Sequence, residues 1–85
     1  MSYVVYVIYS EKSGKRYIGH TKDIQKRLEQ HNVGISGWTR GKGPWKVIYC
    51  EAGYEKRSEA LIREKQLKQM KGGIQFKELI KLNNS

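Results

Sequence analysis

The segment Tyr3-Val4-Val5-Tyr6-Val7-Ile8-Tyr9 is β-branched or aromatic at every position. Such a run suits a strand covered on both faces, since a half-solvated strand alternates apolar with polar residues. The chain around it has only 85 residues, enough for a single domain over 1–85 and no second one. A chain this short buries about 60% of the surface that it exposes when unfolded, so its core is thin. Large side chains then do much of the packing, which accounts for the six tyrosines and two tryptophans before any function is invoked.

After this first strand, Glu11-Lys12-Ser13-Gly14-Lys15 reads as a hairpin loop and Arg16-Tyr17-Ile18-Gly19 as the returning strand. There is no room for a parallel crossover between them, so the two are antiparallel. Thr21 or Lys22 opens a helix, with Thr21 as N-cap and Asp23 in the first turn. Ile24 and Leu28 are one turn apart on it, as are Arg27 and His31. Asn32 to Pro44 is a glycine-rich loop carrying Trp38, Thr39, Arg40 and Lys42, of a length that is usually functional or disordered. Trp45 to Cys50 is the third strand. A second helix runs from Ser58, its N-cap, to Lys71, where Gly72-Gly73 ends it. Ile74 to Leu82 reads as a last helix with Phe76, Leu79 and Ile80 on its apolar face. The order is ββαβαα.

A formal net charge of +9 exceeds what solubility needs and weakens the folded state by self-repulsion. The usual reason to tolerate it is a polyanionic partner, because each cation set on a phosphate releases condensed counterions. Cys50 is the only cysteine, which excludes an internal disulfide; in its apolar run it reads as a small buried thiol. The run from Tyr3 to Tyr9 is too short for a membrane span and lacks a charged start or cleavage site. A cytoplasmic, reducing compartment is expected.

Glu64 is the most informative single residue. It falls within the apolar stripe of the second helix, with Ala60, Leu61, Leu67 and Met70. A carboxylate facing a core is costly unless it is paired or binds a metal. Two readings stand side by side: a salt bridge to Arg63, Lys68 or a basic residue across the fold, or a site for Mg²⁺, which needs only one or two protein oxygens. Taken singly, Tyr6 and Tyr17 are strand aromatics, Arg27 a solvated charge, and His31 a cation closing a helix.

As a set, these residues resemble the GIY-YIG nuclease family, and within it the small stand-alone bacterial members. The second family motif is present as Tyr17-Ile18-Gly19; the first is present as Val4-Val5-Tyr6, with valine in place of the glycine. Lys26-Arg27 and His31-Asn32 match the helix that follows, and Ser58-Glu59-Ala60-Leu61-Ile62-Arg63-Glu64-Lys65 matches the helix with the metal-binding glutamate. The match runs from Tyr3 to about Lys71. A polar residue that many members carry beyond the glutamate has no clear counterpart.

The resemblance implies an α/β chain of α+β type: a three-stranded antiparallel sheet flanked by helices. It implies hydrolysis of phosphodiester bonds, in DNA more than RNA, with one Mg²⁺ or Mn²⁺ per site held by Glu64. Tyr6, Tyr17, Arg27 and His31 are then the catalytic residues, and the Tyr6 and Tyr17 hydroxyls and the Arg27 guanidinium are expected to meet the Glu64 carboxylate on one concave, solvent-open face. Tyr6 would accept a proton from the attacking water, which requires nearby cations and the metal to lower its pKa from about 10. Lys22, Lys26, Arg40, Lys42, Lys65 and Lys68 are candidate contacts to nucleic acid, and Trp38 a candidate stacking platform. Structure-selective or weakly specific cutting in repair or recombination is expected, with a partner protein adding specificity. Two rivals share the fold: a non-catalytic nucleic-acid-binding module, and a protein-interaction adaptor.

Overall fold

In the computed structural model, which describes residues 2–34, 41–70 and 78, the apolar run becomes β1 (Tyr3–Ser10) at the centre of the sheet. It is flanked by β2 (Lys15–Thr21) and β3 (Lys46–Tyr54), both antiparallel to it. The helices are α1 (Ile24–Asn32) and α2 (Arg57–Gln69). This is the expected antiparallel three-stranded architecture; the expected C-terminal helix over 74–82, apart from residue 78, lies outside the described residues, as do Trp38 and Arg40. No helix among the described residues is long and apolar enough to cross a membrane.

Alternation along β1 divides the core into two. Val5 and Val7 pack with Tyr49, Ala60 and Leu67, the last two from α2. Tyr6 and Ile8 pack with Trp45, Tyr17, Ile24 and Leu28, the last two from α1. All four β1 residues have no exposed surface. One helix therefore covers each face, as side-chain period 2 demands of a strand apolar on both.

Local details differ from the sequence reading. Thr21 is still strand, paired with Val4, and the N-cap of α1 is Asp23, whose carboxylate accepts from the Lys26 amide at 3.1 Å. Thr21 supports that cap instead, its hydroxyl oxygen accepting from the Asp23 amide at 3.2 Å. Ser58 lies inside α2; the N-cap is Lys56, whose amide donates to the Glu59 carboxylate three residues on at 3.1 Å. Cys50 is exposed rather than buried. It pairs with Tyr6 and so shares the α1 side, but α1 packs over β1 and leaves the outer strand β3 uncovered there.

The third strand also runs on to Tyr54, past the expected end at Cys50. Its extension carries Glu51, which ties the sheet to α2. Arg63 donates to both Glu51 oxygens, at 2.8 and 2.9 Å, and the Tyr54 and Tyr49 hydroxyls donate to the same carboxylate. The Arg63 hydrogen bonds outweigh desolvation and pull Glu51 down to about 2. A carboxylate so depressed adds stability above its unfolded pKa and loses it as pH falls through the folded value. At 1.36 kcal/mol per unit the contribution is roughly 3 kcal/mol at most. Urea titrations of Glu51→Gln should show a loss of roughly 2–3 kcal/mol at pH 7, with the gap to wild type closing as pH falls from about 5 to about 2. A gap independent of pH would mean that packing, not charge, holds this clamp.

Candidate active site

Gly19 stands opposite Tyr6 in the β1–β2 ladder. A Cβ at Gly19 would lie 2.8 Å from the Tyr6 hydroxyl and 2.9 Å from Cε1 of Tyr17. The two rings thus occupy the space that any side chain at this position would fill. Their centroids are 6.2 Å apart, and His31, from the last turn of α1, completes the group at 4.8 Å from the Tyr17 ring. The spacing of Arg27 and His31 by one helical turn brings the guanidinium to the same place, within hydrogen-bonding reach of both tyrosine hydroxyls. It also donates to Gln30 at 2.9 Å.

The Tyr6 hydroxyl and His31 Nε2 are 2.8 Å apart and buried. Burial pushes the Tyr6 phenol up to about 12; the Arg27 hydrogen bond pulls the other way without reversing it. Burial, helped by the Arg27 charge, pushes His31 down to about 4. At neutral pH the pair is a phenol beside a neutral imidazole. The Tyr6 hydroxyl donates to Nε2 when the imidazole carries its own proton on Nδ1. Arg27 alone does not bring the expected lowering of the Tyr6 pKa, because the desolvation of a wholly buried ring exceeds what one guanidinium returns.

Glu64 is buried, in the α2 stripe where the periodicity put it. Its Oε1 accepts from His20 Nδ1 at 2.7 Å and its Oε2 from Lys68 at 2.8 Å. His20 Nε2 in turn accepts from Arg57 Nε at 3.3 Å, which fixes the tautomer protonated on Nδ1. His20 pairs with Val5 and so stands on the α2 side of the sheet, whereas Tyr6 and Tyr17 stand on the α1 side. The expected convergence on one open face is thus partial: Tyr6, Tyr17, Arg27 and His31 come together, and Tyr6 has no exposed surface. Glu64 sits apart with its own partners, yet near enough for its charge to raise the Tyr6 pKa.

Desolvation works against ionised Glu64, but the hydrogen bonds from Lys68 and His20 overcome it and hold the carboxylate below its usual range. It is charged at neutral pH. Each oxygen keeps a lone pair beyond the one hydrogen bond described for it. No group of three or more His, Cys, Asp or Glu side chains that could hold a metal ion occurs among the described residues. One ionised carboxylate oriented by an imidazole N–H fits Mg²⁺, which takes its remaining ligands from water and phosphate. It does not fit an ion that requires a protein cage.

Of the expected nucleic-acid contacts, Lys22, Lys26, Lys65 and Lys68 are exposed; Lys22 also lies 5.3 Å over the Tyr3 ring. Lys42 is half-buried, its carbonyl accepting from the Ser10 hydroxyl at 2.6 Å. Sequence reasoning missed His20. The signal was there: β2 runs on beyond Gly19, and by alternation His20 shares the face of Ile18, which α2 covers. Asn32 was seen only as a neighbour of His31. Its side-chain amide accepts from Trp45 N at 2.6 Å and donates to Trp45 O at 3.2 Å, anchoring the start of β3 to the end of α1.

Comparison with known proteins places this geometry. The profile of the GIY-YIG catalytic domain matches residues 2–76. A UPF0213 protein of Halobacterium salinarum is 39% identical over 67 residues, covering 78% of this chain and 84% of its own. A UPF0213 protein of Staphylococcus aureus is 38% identical over 68 residues, covering 79% and 80%. The solution NMR structure of a UPF0213 protein from Bacillus halodurans superimposes with a TM-score of 0.57 at 28% identity, over 96% of this chain and 85% of that one.

Gly19→Ala should displace the Tyr6 ring, at a cost of about 1–3 kcal/mol for overpacking. It should also move the His31 midpoint, followed by NMR, up from about 4 towards the ordinary histidine value as the cluster opens to water. An unmoved midpoint would show that the rings do not depend on the missing side chain.

Proposed function

The chain belongs to the GIY-YIG catalytic-domain family, a nuclease-type fold, and on that premise we propose that it is a metal-dependent endonuclease acting on DNA. The observation that carries this reading is the buried phenol of Tyr6, set between the Arg27 guanidinium and a neutral His31. Plain backbone binding needs only surface charge and gives no reason to bury such a group.

With a pKa of about 12, roughly one Tyr6 in 10⁵ is phenolate at pH 7. It therefore takes a proton only as it gives one up. As water attacks phosphorus its proton passes to the phenolic oxygen, while the phenol's own proton moves to His31 Nε2, which lies 2.8 Å from that oxygen. The bond to the leaving oxygen breaks, that oxygen takes a proton from solvent, and His31, which burial holds neutral, returns its proton through Tyr6. Arg27, within reach of both tyrosines, balances the charge that builds on the phosphoryl oxygens. Tyr6 is closed to solvent in the free protein, so substrate must first shift the half-buried Tyr17 and Arg27 that lie against it. Glu64 would hold Mg²⁺ or Mn²⁺, one ion per site, which supplies Lewis-acid stabilisation of the phosphate and leaving oxygen. His20 and Lys68 orient that carboxylate and keep it ionised. Branched or nicked duplexes, as in repair and recombination, are the proposed substrates.

Branched, nicked, single-stranded and duplex DNA, incubated with Mg²⁺, Mn²⁺ or EDTA, test the reading. Cleavage should require the metal. Tyr6→Phe should lower kcat by about 10²–10⁴, the range for a lost general base, and Glu64→Gln should abolish cleavage while sparing most binding. Cleavage that persists in EDTA, or an unchanged rate in Tyr6→Phe, would overturn the mechanism.

Binding should be steeply salt-dependent. The exposed Lys22, Lys26 and Lys65, together with Lys68, allow roughly three to four phosphate contacts. The slope of log affinity on log salt is then about −2.7 to −3.6 on duplex. A slope near zero would favour the protein-interaction adaptor.

A further inference from the structure

A cavity of about 290 Å³ opens beside β2, lined by Arg16, Tyr17 and Ile18 from that strand and by Lys68 from the last turn of α2. Among the described residues β2 is an outer strand of the sheet, so the cavity is reached from the side. Arg16 pairs with Tyr9 and Ile18 with Val7, which directs both side chains to the α2 side, where Lys68 stands. Among the described residues, two of the four that line it are cations and none is an acid.

The two cations differ in a useful way. A guanidinium presents paired N–H groups that match two phosphate oxygens. An ammonium has three donors, of which Lys68 directs one to Glu64 at 2.8 Å; it can hold the carboxylate and an anion together. Lys68 thereby joins the cavity to Glu64, and Tyr17 joins it to the cluster of Tyr6, Arg27 and His31. An anion here sits next to the candidate active site without entering it.

Resting on the nuclease reading above, we propose that this cavity is a subsite for a non-reacting phosphate of the substrate strand, with Arg16 and Lys68 as its ligands. Its place beside the reacting groups sets the register of the strand. Ile18 at its floor packs against the α2-side core, so the subsite is fixed to the sheet rather than carried on a loop.

The test uses the full chain in EDTA, with oligonucleotides that carry a single neutral methylphosphonate at successive positions. Arg16→Ala should reduce the salt slope by about 0.9 on duplex, or about 0.7 on a single strand. Arg16→Lys should restore it. At one position the methylphosphonate should weaken wild type but not Arg16→Ala, since both remove the same contact. Urea melts check that the exposed substitution leaves the fold intact. An Arg16→Ala slope equal to wild type, with every methylphosphonate penalising both proteins alike, would overturn the subsite while leaving the nuclease reading standing. A wild type that neither binds DNA in EDTA nor cleaves it with metal would overturn both.

Discussion

Everything in this small fold hangs on a strand that has no solvent side. Because Val5 and Val7 point one way and Tyr6 and Ile8 the other, the sheet needs a helix on each face, and the chain supplies one of nine residues and one of thirteen. Each helix then brings functional groups along with its apolar cover. α1 contributes Ile24 and Leu28 to the core, and Arg27 and His31 to the tyrosines. α2 contributes Ala60 and Leu67, and Glu64 between them. In so thin a domain the site is not built on the core; it is part of it.

That economy sets the electrostatics. Desolvation of the charged form is the largest cause of both shifts, raising Tyr6 and lowering His31, with the Arg27 charge adding to the second. A neutral donor–acceptor pair is inexpensive to bury when each satisfies the other. Glu64 follows the opposite course. It stays charged although buried, since His20 and Lys68 together outweigh desolvation. The fold thus keeps a neutral phenol–imidazole pair and an ionised carboxylate on different sides of one hairpin, with Gly19 opposite Tyr6 leaving room for the two tyrosine rings.

The second carboxylate on α2's face shows the contrast between structure and chemistry. Glu51 has a bidentate arginine and two tyrosine hydroxyls, which saturate it and leave no obvious ligand position. Glu64 has one hydrogen bond on each oxygen and a histidine behind it. Both are held below the usual carboxylate range, Glu51 by donors on every side and Glu64 by one on each oxygen.

Much of this was legible in the chain. The apolar run determined a strand covered on both faces, helical spacing put Arg27 and His31 on one side, and the stripe of α2 marked Glu64 as buried. These are consequences of periods 2 and 3.6, which are local properties of the backbone. Partners are not local. His20 meets Glu64 across 44 positions and Tyr6 meets His31 across 25. Which salt bridge Glu64 makes, which way the Tyr6 pKa moves and whether Cys50 is covered all depend on how elements cross. Sequence determined which faces are buried; only the packing of two helices against opposite sides of β1 decided what each buried polar group touches, because hydrogen bonds and desolvation act over a few ångströms of space and not along the chain.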